Sequence, residues 1–473
     1  MSGATADLAA FACARHPVPS GHAEHFARAL VDTVGCAVAA TPSDLNALLR
    51  RWCARELTTG RSTVWTTGER VSAAQAALLN GTAGHALDWD DVSPGSMMHP
   101  SVVLIPALLA EAEAAGASGP ALTEAHDVGA AVFRAVTQAL PRSVHYGRGW
   151  HTTSTVGRVA AVAALASLRR LDERQACNAL GLVASLASGS LANFGTMTKP
   201  LHAGVAARDA VTAVELAAEG FTANVGQLEA PGGFFALFGE PDAARLARLP
   251  AELERWRLEW PQDWALKRYP ACYATHRAVD AALRLSAGLR GSAPAHVEVV
   301  VEPGGLRPLL AHEPATGTEA KFSMAYAVSV ALAHGELRLG HFSDDGFRNE
   351  SARSRMGSVT VRESDVPPLG EPGFGDGYTV VSVESPSGST DRLRVDHTYG
   401  DARSPLSEAD LDAKFADCCR EGGLSAGAAR RLAALLRAVP SAAGLDELAT
   451  ALADEARTGQ TADPISGSAA VAG

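Results

Sequence analysis

Residues 80–101 read NGTAGHALDWDDVSPGSMMHPS. Twenty-two positions hold His85, Asp88, Asp90, Asp91 and His99, set in sequence rich in Ala, Leu and Val. Unpaired buried charge is costly, so three carboxylates and two imidazoles in an apolar setting call for a chemical reason. Asp and His are the side chains most used for proton transfer, and burial tunes them toward neutrality. The period of Leu78, Leu79, Gly81, Thr82, His85, Ala86 and Trp89 predicts a helix running on from Ser72. On it Asp88 shares a face with His85, and Asp91 lies a turn further. Pro94 and Gly95 then end the helix. Pro100 restricts His99 to extended backbone, just ahead of a helix over 102–115 and near its positive end. The bland alternative is a helix end with solvated carboxylates and a capping histidine. The density of the cluster favours a site.

Outward from this stretch the chain reads as helix. Residues 22–41 carry Phe26, Leu30, Thr33, Val34 and Ala37 on one face. Helices are also expected over 102–116, 123–140, 156–171 and 172–189, with a short extended connection at 63–71. In HYGRGWHTTSTVGRVAA (145–161) two glycines deliver His151 to a helix start with Thr152 to Thr155 as capping oxygens. Such an end suits an anion; a surface capping loop is the alternative. In ANFGTMTKPLHAGVAARDAV (192–211), Lys199 precedes Pro200 and is expected extended, with a helix from about Leu201. It is either a snorkelling surface residue or a carboxylate-binding charge.

The composition shifts near residue 266. HVEVVV (296–301) is β-branched and alternates with charge, as a strand does. Further strands are expected at 358–361, 378–384 and 392–397, the last two joined through Ser385-Pro386-Ser387-Gly388 as a hairpin. Helix returns over 407–455, and the tail 458–473 is expected to be disordered.

With 473 residues there is room for two or more domains. The net charge of −11 argues against nucleic acid and an anionic membrane surface. An anionic substrate then needs a local basic pocket. Seven cysteines without a CxxC pair fit a reducing cytoplasm, the expected location. No apolar run reaches transmembrane length, and no signal peptide is evident.

The motifs LLNGTAGHALDWDD, MHPS, GRGWH, TMTKPLHAG with AARDA, LEAPGGF, KRYPACYATHRAVDA and EAKFSMAYAV follow one another along most of the chain. In this order they resemble the MmgE/PrpD family, which includes 2-methylcitrate dehydratase, cis-aconitate decarboxylase and iminodisuccinate epimerase. The resemblance implies a mainly α protein: a large all-helical domain (1–266 with 402–457) into which a smaller α+β lid domain (267–401) is inserted. It also implies a homodimer, a small carboxylate-bearing substrate and no metal or organic cofactor. Residue by residue, Asp88 matches the first aspartate of the family's DxDD motif and His99 the histidine of HPS. His151 matches the histidine after the glycines, Lys199 the lysine of TKP, and Lys267 the basic residue opening the lid motif. Arg268 beside it joins the expected substrate-binding set. Val92 follows Asp91 where the family's decarboxylases carry threonine, and Cys272 stands where they carry histidine. Cys272 is either a second acid/base or a packed thiol.

The reactions of the family move a proton at carbon next to a carboxylate or carbonyl. The expectation is therefore a lyase or isomerase without cofactor, with elimination ahead of epimerisation and decarboxylation third. His99 is the proton-transfer candidate, with Asp88 orienting it or sharing the proton. Lys199, His151 and Lys267 supply positive charge. Two readings of other classes remain. One is a metal-dependent helical hydrolase using His85, Asp88, Asp90, Asp91, His99 and His151, although HExxH and HxH spacings are lacking. The other is an inactive helical interaction protein.

Overall fold

The computed structural model describes residues 3–56, 58–289, 293–372 and 377–461. The chain is mainly helical, and its apolar residues gather into two principal cores. The larger draws on residues 4–266 and again on 406–452. The smaller lies within 269–395.

Helix Thr198–Ala218 runs through the larger core and packs along Ala73–His85. Small residues make this approach possible. A Cβ on Gly204 would stand 2.1 Å from Oγ1 of Thr82, and one on Gly81 2.9 Å from Cα of Gly204. Two further helices, Ser101–Ala115 and Thr152–Arg169, are apolar on nearly all sides and correspondingly buried. The C-terminal helix Glu408–Glu421 returns to His22–Ala39. There Lys414 Nζ donates to Asp32 at 2.5 Å, an ion pair buried within the helical core.

The smaller core lies under a four-stranded sheet in the order Val359–Glu363, His296–Val301, Thr379–Glu384, Thr390–Val395. Its first pair is parallel and the rest antiparallel, with Val299 opposite Val361 on one side and Val381 on the other. Val297, Val299 and Val301 turn into the core shared with helices His276–Leu289 and Met324–His334. The hairpin closes through Ser385–Ser389, and the expected strands appear with ends moved by a residue or two. A two-stranded ladder, Thr59–Thr63 with Arg70–Val71, forms where only an extended connection was expected.

Three local expectations need correction. The helix expected to run on to Pro94 ends at His85. Asp88 adopts a left-handed backbone with φ of 53°, tolerable for aspartate but incompatible with a continuing helix. Lys199 is not extended: the helix begins at Thr198, because proline is accommodated in a first turn, where its missing N–H costs nothing. The last helix, Asp446–Thr461, continues past Thr458; residues 462–473 lie outside those described. Among the described residues no helix is long and apolar enough to cross a membrane.

Candidate active site

The end of helix Ala73–His85 opens into a loop, 86–100, that folds back on itself. Its backbone is pinned from two sides. Val92 and Ala265 exchange hydrogen bonds of 2.9 and 2.8 Å, and Leu266 N–H donates to Gly400. Lys414 Nζ binds the carbonyls of Trp89 (2.7 Å) and Lys267 (2.8 Å) as well as Asp32. One buried ammonium therefore ties three distant segments together at the site. Burial disfavours its charge, but Asp32 outweighs that and raises its pKa.

Asp88 is the electrostatic centre. Lys199 Nζ donates to its Oδ1 at 2.6 Å. Lys267 Nζ lies 3.2 Å from the same oxygen and donates to the Asp88 carbonyl at 2.6 Å. Burial pushes the Asp88 carboxyl up, but Lys199 and Lys267 pull it well below the usual carboxylate range. The Lys199 amine also sits 4.8 Å from the ring centres of both Phe194 and Phe322, a cation–π sandwich that holds it in place.

His99 has a defined tautomer. Its Nδ1 is 2.9 Å from the Asp91 carbonyl, which can only accept, so Nδ1 carries the proton and also faces Asp90 at 3.0 Å. Nε2 keeps its lone pair, 3.7 Å from Asp88 Oδ1. Burial lowers the His99 pKa to about 3, leaving a neutral imidazole at neutral pH. The His99 N–H is taken by Thr153 Oγ1 at 3.0 Å, so the threonine run after His151 supports this histidine and does not cap its own helix. Asp90, fully buried, also accepts from His85 Nδ1 through both oxygens, at 2.9 and 3.0 Å. It thereby fixes two imidazoles whose rings lie 4.5 Å apart.

His99, His151, Lys199 and Cys272 line one cavity of about 110 Å³. His151 precedes helix Thr152–Arg169 directly, and its Nδ1 lies 3.1 Å from Nδ1 of His202. Burial, then Lys199, lowers the His151 pKa well below its ordinary value. Burial raises the pKa of the Cys272 thiol, with Asp88 adding to the effect. Asp88 joins this group through Lys199. Lys267 is fully buried and lines neither this cavity nor the neighbouring one beyond Lys199; its contact with the site is through Asp88. Arg268 is not brought to the site. It faces a different cavity, 3.7 Å from Asp410 and over the ring of Tyr399.

Several residues escaped the reading of the sequence. Sequence reasoning offers Asp90 and His85 only as candidate metal ligands and gives them no role in the proton-transfer reading. Tyr273 and Arg277, from the segment after Cys272, line the same cavity. Lys321 is 6% exposed near Asp88; the signal was its place in EAKFSMAYAV, a lysine just before an apolar helix.

Ligand atoms of His85, Asp88, Asp90 and His99 lie within 4.8 Å of one another, which gives the metal reading a location. The donor set fits it poorly. Both imidazoles turn N–H toward Asp90, and two ammonium groups already neutralise Asp88, where a divalent ion would have to displace or repel them.

Comparison with known proteins agrees with the motif order. The MmgE/PrpD N-terminal domain profile matches residues 6–247 and the C-terminal domain profile residues 269–438. The chain is 30% identical to human cis-aconitate decarboxylase over 421 residues, 86% of each protein. It is 30% identical to the mouse protein of that name over 400 residues, 82% of this chain and 80% of the relative. Identity to the Aspergillus terreus protein of that name is 24% over 368 residues, 70% of this chain and 75% of the relative. By the extent of these matches, the chain belongs to the MmgE/PrpD family.

Proposed function

We propose that this protein is a lyase, independent of organic cofactor and metal, that moves a proton at carbon next to a carboxylate of a small polycarboxylic acid. The observation that carries the reading is His99: a neutral imidazole with its lone pair toward the Lys199–Asp88 pair, in a cavity shared with His151 and Cys272. Bond cleavage or proton removal beside a carboxylate leaves negative charge on carbon, delocalised into the carboxylate oxygens. Lys199 is positioned to stabilise that charge, and such preorganised charge is worth far more in a site shielded from water. His99 Nε2 removes or returns the proton, since its Nδ1–H is held by Asp91 and Asp90. Asp88 holds the Lys199 amine aimed into the site. We further propose that residues 267–401 act as a lid, since they contribute Cys272, Tyr273 and Arg277 to the cavity.

Among the possible reactions, decarboxylation moves up from the third place the residues gave it, because the relatives above are named cis-aconitate decarboxylases. Elimination uses the same proton transfer and remains beside it. Epimerisation is a second reading, supported by Cys272: a protonated thiol sharing a cavity with a neutral imidazole offers the acid and the base that a two-base reaction needs.

The test is incubation in D₂O with cis-aconitate, 2-methylcitrate and iminodisuccinate, followed by NMR. One acid is expected to react, with deuterium appearing at carbon beside a carboxylate in the product of decarboxylation or epimerisation, and in recovered substrate where an elimination runs reversibly. Carbon dioxide release, loss of water or inversion then names the reaction. Deuterium incorporation that persists undiminished in His99→Gln would remove His99 from the mechanism.

A further inference from the structure

A second cavity, of about 330 Å³, lies on the other side of Lys199. The two cavities share this lysine: Phe194 lines the reaction cavity and Phe322 the second. Lys321 lines the second cavity and not the first. Its side chain is buried, and its amine has no hydrogen-bond or ion-pair partner among the described residues. A buried ammonium without a partner is costly, and burial lowers the Lys321 pKa to about 8, with Asp88 opposing that and Lys199 and Lys267 adding to it.

Charge and polarity are graded along this cavity. His85, Asp88, Lys199 and Lys321 all line its buried end; Asp88 is taken up by Lys199, which leaves Lys321 as the cation not already paired. Leu45, Phe322 and Phe342 give it apolar lining. Asp44, Asp344 and Glu421, all exposed, add negative charge on the solvent side. The first turn of helix Thr198–Ala218 also borders the space and adds its positive end.

We propose that this cavity is a binding site for a small monocarboxylate with a short apolar chain, its carboxylate on Lys321. One unpaired cation matches one negative charge. The apolar lining suits an alkyl chain, and the exposed acids repel a second carboxylate at the outer end. The shared Lys199 gives such a ligand a route to the reaction cavity, since an anion near Lys321 competes with Asp88 for the field of Lys199.

The experiment is calorimetric titration of the full-length protein with propionate, repeated with succinate. Wild type is expected to bind propionate, and succinate more weakly. Lys321→Met should weaken propionate by at least about tenfold, the scale of a lost charge-assisted hydrogen bond. Lys321→Arg should retain it, and His99→Gln should bind as wild type, which separates this site from the reaction cavity. At pH 9, titration in buffers of different ionisation enthalpy should show proton uptake, because the bound carboxylate recharges Lys321; this readout needs no variant. Wild-type binding in Lys321→Met, equal loss in His99→Gln, or absence of proton uptake would each overturn the proposal. None of these readouts depends on the reaction, so failure here leaves the lyase reading standing.

Discussion

At the scale of single residues the site is a set of fixed protonation states. The Asp91 carbonyl and the Asp90 carboxylate hold the proton of His99 on Nδ1, so Nε2 is the only nitrogen free to act. A positioned proton-transfer group supplies about 10²- to 10⁴-fold of rate. His99→Ala should lower kcat by that order. Its thermal unfolding should stay close to wild type, because the residue borders a cavity and is not packed in the core. Steady-state kinetics checks the first half and calorimetry the second; turnover at the wild-type level would end the role assigned to His99. Lys199→Ala should behave differently. Its ammonium meets negative charge in the bound acid and in the transition state alike, so KM should rise more than kcat falls. A variant with unchanged KM would mean that Lys199 serves Asp88 and not the substrate. The identities of these residues were legible because His, Asp and Lys in apolar surroundings demand an explanation. Their pairings were not. Helical spacing put His85 with Asp88, but the chain turns left-handed at Asp88 and gives His85 to Asp90. A short loop obeys no period, so spacing cannot foretell its partners.

At the scale of elements, what matters is how closely helices approach. Ala73–His85 leads into the loop that carries Asp88, and Thr198–Ala218 begins with Lys199, so the 2.6 Å ion pair depends on the spacing of these two helices. Gly204 sets that spacing, as no Cβ fits there. Gly204→Ala should cost about 1–3 kcal/mol by overpacking, and its activity should fall by more than the folded fraction does, since the helices must move apart. Denaturant titration beside kinetics on the folded protein measures both; full activity at wild-type stability would show that the contact relaxes without moving Lys199. Glu408–Glu421 has a comparable part through Lys414. Removing one member of a buried ion pair leaves the other uncompensated and costs about 3–5 kcal/mol. Lys414→Met should therefore lower stability on that scale, and Lys414→Met with Asp32→Leu should recover much of it. Equal losses in single and double variants would assign the cost to the orphaned Trp89 and Lys267 carbonyls. The helices themselves were legible from apolar period and the strands from β-branched alternation. The role of Lys414 was not, because a lone lysine at helical spacing normally reads as a solvated face, and its partners stand 147 to 382 residues away in the chain.

At the scale of the whole molecule, a protein with so many buried titratable groups should carry its chemistry into its stability. The composition shift near residue 266 was visible in sequence because β-branched alternation replaces helical period there; the way the chain buries its histidines was not. His99, His126 and His276 have pKa values lowered to about 3, and His202 to about 4, in each case with burial as the largest cause. These four imidazoles stay neutral in the folded protein, while in the unfolded chain they take up protons below about pH 6.5. The unfolded state then binds more protons, so stability must fall as pH drops from about 6.5 toward the folded values. Asp88 and Asp90, held below the usual carboxylate range against the cost of burial, add a further loss once the unfolded carboxylates protonate near about pH 4. Asp91 works the other way. Burial, with Asp32 adding, raises its pKa to about 8, so its contribution is complete below about pH 4 and is lost as pH climbs through 8. Asp32, Glu111 and Glu113, also raised by burial, act in the same direction as Asp91. Between about pH 4 and 6.5 the four imidazoles outweigh these carboxyls; above 6.5 Asp91 lowers stability as pH rises, opposed near pH 8 by Lys321, whose lowered pKa leaves the unfolded chain with more protons there. The midpoint of thermal unfolding should therefore decline steeply from pH 6.5 to 4 and gently from 6.5 to 8, with the gentle limb abolished in Asp91→Asn. A midpoint that is flat or rising as pH falls from 6.5 to 4 would mean that these histidines gain protons in the folded protein too. The neutral His99 on which the proposed chemistry depends would then be lost.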